Sequence, residues 1–212
     1  MGTASPPCPR LRRRLLLGTA AGLGTVLAGG LLARAGVAAA SRRAVPALPD
    51  EVCILAPPTP FDPASGLSPL AARPVPAEAR CPVCGMFAAR HPLWAAMAVF
   101  DDGAAQFFDT PAHLFLYLQA VPRYQRGRSL QQLRALFASD HRGGGWLPLQ
   151  QAVFVQGSRA LGPMRTEDLP AFADAGAAAA FIAEAGGTPV RAEALRLALP
   201  EGLQRQAPHR HL

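Results

Sequence analysis

The chain has 212 residues, half of them apolar, which is enough for one or two small domains with a real core. It carries 21 arginines, no lysine and 14 acids, for a net charge of +7, a balance that raises nucleic acid as a partner until the arginines are located. Five of them and no acid lie in residues 1–40, so the rest of the chain holds 16 arginines against 14 acids, mostly single and matched, which excludes a nucleic-acid-binding stripe.

Residues 1–40 have the order of an export signal. A basic stretch ends at Arg14, Leu15 to Ala33 carries no charge, and Ala38-Ala39-Ala40 offers a small-residue cleavage site before Ser41. The run Arg12-Arg13-Arg14-Leu15-Leu16-Leu17 resembles the twin-arginine signal of proteins exported already folded. Because the uncharged stretch approaches the ~20 residues that span a bilayer, a membrane anchor through residues 15–33 is the second reading. Either one places the body outside the cytoplasm, in a bacterial periplasm.

Residues 46–82 hold ten of the 22 prolines and show neither a strand nor a helix period. Residues 41–79 therefore read as an extended linker, or as an arm laid over the domain. The folded domain is expected over residues 80–200, and residues 201–212, with His209 and His211, as a flexible tail.

From Trp94 the pattern changes. Trp94 to Phe100 and Ala104 to Phe108 are two β-type runs around Asp101-Asp102-Gly103, a hairpin signal. Asp109-Thr110-Pro111 sets a capping side chain ahead of a proline, and Leu114, Phe115, Leu118 and Val121 then share one face of a helix that stops before Pro122. Downstream, Leu133 to Ser139 and Gln151 to Gln156 read as strands around a loop with Gly143-Gly144-Gly145, and Leu169 to Ala173 as a further short strand. Asp174 caps a helix through Ala185 that Gly186-Gly187 ends. Phe107-Phe108-Asp109 and Phe172-Ala173-Asp174 echo one another ahead of the two helices. The fold class is α+β, two similar small strand-strand-helix halves packed together behind the Pro-rich arm.

The chemistry is concentrated in Cys81-Pro82-Val83-Cys84-Gly85-Met86. Two thiols three positions apart can face one ion or close one disulfide, and C-x-x-C alone leaves zinc, redox and soft-metal roles open. Structural zinc wants four ligands, and no second Cys or His pair follows at short spacing. A redox dithiol should open a helix, whereas Gly85, Pro92 and a strand pattern follow here. Soft-metal binding accounts for the methionine two residues after Cys84, since thiolate and thioether sulfurs select Cu(I). Met97 sits inside a strand run and reads as core filler. Met86 beside the cysteines and Met164 in Leu161-Gly162-Pro163-Met164 do not.

The block Cys81 to Phe87, with His91-Pro92 and Trp94-Ala95-Ala96 after it, resembles the signature of the NosL family, the nitrous oxide reductase accessory proteins. The likeness continues through Phe107-Phe108-Asp109, Trp146 to Phe154, Gly162-Pro163-Met164, and Pro170 to Gly187. It implies two similar α+β halves in an exported or membrane-anchored protein that is not an enzyme. Its cargo would be Cu(I), delivered for assembly of the copper centres of nitrous oxide reductase. Nitrous oxide reductase or its maturation complex, and an ABC-type membrane complex, are the partners so implied. Residue by residue, the resemblance points to Cys84 and Met86 as copper ligands, Met164 as a sulfur ligand from the second half, and Cys81 behind them. His91 and His113 are the histidine candidates, with His113 read rather as a polar residue near a helix end. Cys53 and the arm lie outside the shared motif. A dithiol protein using Cys81 and Cys84 and a zinc-stabilised interaction module are the alternatives.

Overall fold

The computed structural model describes residues 56–207, and the signal or anchor of residues 1–40, Cys8, Cys53, His209 and His211 lie outside them. Two units follow one another, each running strand, strand, helix, strand. In the first, β1 (Ala96–Phe100) and β2 (Ala105–Phe108) form the expected hairpin, α1 (Pro111–Gln119) follows, and α2 (Val121–Tyr124) takes Pro122 into its first turn. The chain then enters β3 (Leu133–Ser139) and β4 (Trp146–Pro148). In the second, β5 (Val153–Gln156) and β6 (Ala171–Phe172) precede α3 (Ala175–Ala185) and β7 (Thr188–Arg191), with α4 (Ala192–Leu197) and α5 (Glu201–Gln204) closing the described chain. The sheets are ordered β2-β1-β3-β4 and β6-β5-β7, all antiparallel, so in both units the first strand is central.

β1, β2 and β5 are buried on both faces, and the alternation of side chains explains what covers each. From β1 and β2, Ala96, Ala98, Phe100 and Phe108 join the large core around α1, where Phe108 meets Tyr117 edge-on at 5.1 Å between ring centres. Met97, Val99, Ala105 and Phe107 point the other way, onto Ala72, Val75 and Ala79 of the Pro-rich segment. In the second unit Phe154 turns toward α1 and packs on Phe115, while Val153, Val155 and Phe172 meet Ala178 and Phe181 of α3.

The arm is therefore a layer of the fold. Thr59 exchanges two 2.8 Å backbone hydrogen bonds with Ala105 at the sheet edge, and Arg73 donates to the Gly103 carbonyl in the β1–β2 turn. Gly103 takes φ +80°, and a Cβ there would press to 3.0 Å from Phe61, so the turn that favours glycine is also the seat of the arm.

Three expectations shift. Residues well before Arg80, from Thr59 to Ala79, are already packed, because the open face of the first sheet needs a cover. Residue 201 does not open a flexible tail: α5 forms there, and its Leu203 is fully buried. β4, β7 and α4 join the elements read from sequence; β7 is short, mostly exposed and contains Pro189, so it carries no apolar period. The residue-level echo is also displaced by one. Thr110 accepts from the His113 N–H and Asp174 from the Ala177 N–H, so the two caps correspond and Asp109 matches Ala173.

Candidate metal centre

The C-x-x-C stretch is a tight loop closed by a bridge between Arg80 and Phe87. The Cys81 N–H donates to the Met86 carbonyl and the Gly85 N–H to the Cys81 carbonyl, both at 2.8 Å, with Gly85 at φ +78°. Arg80 staples the outside, donating to the Gly85 carbonyl at 2.9 Å while its guanidinium lies 3.9 Å from the centre of the Phe87 ring. The loop turns Cys81 inward, 1% exposed, and leaves Cys84 half-buried.

Opposite the loop is the start of α1. Pro111 suits the first helical position, and Thr110 caps it by accepting from the His113 N–H at 3.2 Å. With the cap filled by Thr110, the Asp109 side chain is free, and one helical turn sets His113 against it. Their side chains meet at 2.8 Å, His113 Nδ1 to Asp109 Oδ1, with both residues buried. Cys81 Sγ lies 3.7 Å from the same nitrogen and Cys84 Sγ 3.4 Å from the same oxygen. One donor atom from each of the four residues falls within 4.8 Å of the others. Asp109 Oδ2 is buried with no partner.

The cluster partitions its protons. Burial pushes the Cys81 thiol well up, and the neighbouring Cys84 adds to that. The Cys81 hydrogen bond, helped against burial by His113, brings Cys84 down to about 6. Burial would lower His113, but the Asp109 carboxylate and Cys84 outweigh it and raise the imidazole to about 10. Asp109 is likewise disfavoured by burial and yet held below the usual carboxylate range, chiefly by His113. At neutral pH Cys81 keeps its proton while Cys84 is a thiolate beside an imidazolium, and the proton near Asp109 belongs to His113. The centre thus offers an accessible soft nucleophile backed by a buried thiol, an imidazole and a carboxylate.

Of the residues singled out from sequence, Cys81 and Cys84 are in the cluster. Met86 is half-buried at the exit of the same loop. Met164 is 46% exposed, at the tip of a hairpin loop closed by a Leu161–Glu167 bridge and a 2.9 Å hydrogen bond from the Gly162 N–H to the Thr166 carbonyl. That loop leads into Asp168, a buried acid that accepts from the Ala112 N–H at 3.3 Å and the Leu169 N–H at 2.8 Å. The Met164 loop is thereby tied to the helical turn that carries His113. His91 ends a 3-10 turn (Ala88–Arg90) and lies outside the cluster. His113, read as a surface residue, is instead buried in the centre. Asp109, not considered as a ligand, joins it. The signal for both was present as an Asp and a His four apart, straddling a Thr-Pro helix start.

A two-unit α+β protein with a buried cluster of two thiols, an imidazole and a carboxylate is the class that fold and site define. Residues 72–199 match the NosL family, and the chain belongs to it. The fold is also that of the crystal structure of the copper chaperone NosL from Shewanella denitrificans, which is 21% identical, with a TM-score of 0.51 over 59% of this chain and 96% of that one. The solution structure of apo-NosL from Achromobacter cycloclastes is 18% identical, with a TM-score of 0.36 over 50% of this chain and 90% of that one. No curated protein matches the chain.

Proposed function

We propose that this protein is a copper chaperone of the periplasm that carries Cu(I) and surrenders it by ligand exchange for assembly of the copper centres of nitrous oxide reductase. Membership of the NosL family supports the copper role. The observation that carries it is Cys84: half-buried, shifted down to about 6, and set in a Cys-Gly-Met loop at the edge of the centre. Cys84 supplies the thiolate, and Met86 and Met164 the thioethers, a soft low-coordinate set suited to Cu(I). Cys81 keeps its proton and stands behind Cys84 as a reserve ligand. Met164, nearly half exposed, is where a recipient's sulfur can approach before a bond on this side is released.

No bond of a substrate is made or broken in this role, so the protein is not an enzyme. Nitrous oxide reductase or its maturation complex receives the metal, with an ABC-type membrane complex as a further partner. The order of residues 1–40 supports export, and residues 15–33 supply an anchor if they are retained.

The reduced protein is expected to bind one Cu(I), with Cys84→Ala and Met164→Leu each weakening it by at least ~10-fold, as loss of a ligand should. Competition against a Cu(I) chelator measures this, and wild-type affinity in both variants would remove the assignment.

A further inference from the structure

We propose that Asp168 is a positioning residue for Met164: its buried carboxyl group clamps the Leu161–Glu167 loop to the start of α1 and so sets where the Met164 sulfur stands relative to Cys84. The clamp rests on the reading of Met164 as a copper ligand. It adds a residue that touches no metal and yet decides whether that sulfur can.

A methionine at a loop tip is a poor fixed ligand unless its backbone is held. Met164 is 46% exposed, and its side chain is unbranched and adaptable. The loop closes on itself through the Leu161–Glu167 bridge and the bond from the Gly162 N–H to the Thr166 carbonyl, and Gln206 donates to the Glu167 carbonyl at 2.6 Å. None of these ties reaches α1. Asp168 does: its Oδ1 accepts from the Ala112 N–H at 3.3 Å and the Leu169 N–H at 2.8 Å, and the Thr110 hydroxyl donates to the same side chain.

Gly162 is an independent mark of the clamp. Its backbone is not in the left-handed region, so conformation does not call for glycine there; space does. A Cβ at that position would collide with the Asp168 side chain, 2.8 Å from its Cβ and 2.9 Å from its Cγ. The loop therefore presses on the carboxyl group from one side while the first turn of α1 binds it from the other. Asp168 is 2% exposed, and a buried acid is a costly way to fill space that a leucine would fill without that cost. What the acid adds is direction, because Thr110 and Ala112 are fixed by the helix start that also carries His113.

The test uses the full chain, reduced and anaerobic, with Cu(I) affinity read by chelator competition and folding checked by circular dichroism. Asp168→Ala should weaken Cu(I) binding by at least ~10-fold, in the range found when groups that orient metal ligands are removed. Asp168→Asn, which keeps an acceptor for Ala112 and Leu169, should restore the wild-type affinity. X-ray absorption at the copper edge should count one sulfur fewer in Asp168→Ala, a change that a merely structural role would not produce. Placed on Met164→Leu, Asp168→Ala should cost nothing more, because it acts through that sulfur. Wild-type affinity and sulfur count in folded Asp168→Ala, or losses that add in the double variant, overturn the proposal. Should Asp168→Ala fail to fold, Gly162→Ala loads the clamp from the loop side and carries the same three expectations. Met164→Leu alone keeps the readings apart: wild-type affinity in it removes the copper assignment and the clamp with it. A weakened Met164→Leu beside an unaffected Asp168→Ala sinks the clamp alone.

Discussion

Cys84 and His113 stabilise each other only when one has lost its proton and the other has kept it. Cys84 falls from 9.0 to about 6, so its contribution is complete above pH 9 and is lost as pH drops through 6. His113 rises from 6.5 to about 10, so its contribution is complete below pH 6.5 and is lost as pH climbs through 10. The metal-free protein should be most stable inside the window between those two values, with guanidinium midpoints falling on both sides. Midpoints unchanged from below pH 6 to above pH 10 would show that the pair does not form. Asp168 behaves in the opposite sense to a paired carboxylate. Burial raises it to about 7 despite its backbone donors, so ionising it costs stability as pH rises through 7. Asp168→Asn keeps an acceptor for Ala112 and Leu169 and cannot ionise. Its thermal midpoint should exceed wild type at pH 8, and the gap should narrow as pH falls through 7 and close near 3.8, where both states are protonated. At this scale the sequence was informative about sulfur and silent about its partners. Thiols are rare enough to stand out, whereas Asp109 read as part of a cap and His113 as an ordinary polar residue until the helix start turned them toward the cysteines.

The loop and the helix start are short elements whose conformations are set by one or two residues. Gly85 holds a positive φ with open space where a Cβ would lie, so Gly85→Ala meets backbone strain and no clash. A loss of about 1 kcal/mol is expected in chemical denaturation, because alanine disfavours that region. Thr110→Ala removes the acceptor for the His113 N–H and should also cost about 1 kcal/mol, the usual value of a helix cap. Cu(I) affinity checks whether either element also orients ligands, and it should fall more for Gly85→Ala, which bends the segment between Cys84 and Met86. The hairpin, α1 and α3 were legible because Asp-Gly, Thr-Pro and Asp174 with Gly186 mark their ends. β4 and β7 were not, since three or four residues beside proline or glycine give no period to read.

For the whole molecule, the boundary suggested by composition would cut through a layer. A chain beginning at Arg80 would lose Thr59, Ala72, Val75 and Ala79 and uncover Met97, Val99 and Phe107. Such a fragment should bind ANS and aggregate, while a chain beginning at residue 56 should not; size-exclusion profiles and dye fluorescence distinguish them. Proline richness hid this layer because an arm without internal periodicity looks the same whether it is packed or free. The two units also differ in what stands before them. Both repeat one strand order and one capped helix start, yet Asp109 is buried while its counterpart Ala173 is exposed. The difference comes from the segment through residues 80–87, which lies over the start of α1 and has no equivalent over α3 among the described residues. The repeat is therefore a neutral frame, and chemistry enters where an extra strap turns an open helix end into a lined chamber. Changing Ala173 and Ala177 to Asp and His would reproduce the helix side of the centre and still yield no metal site, because the sulfur-bearing wall would be missing.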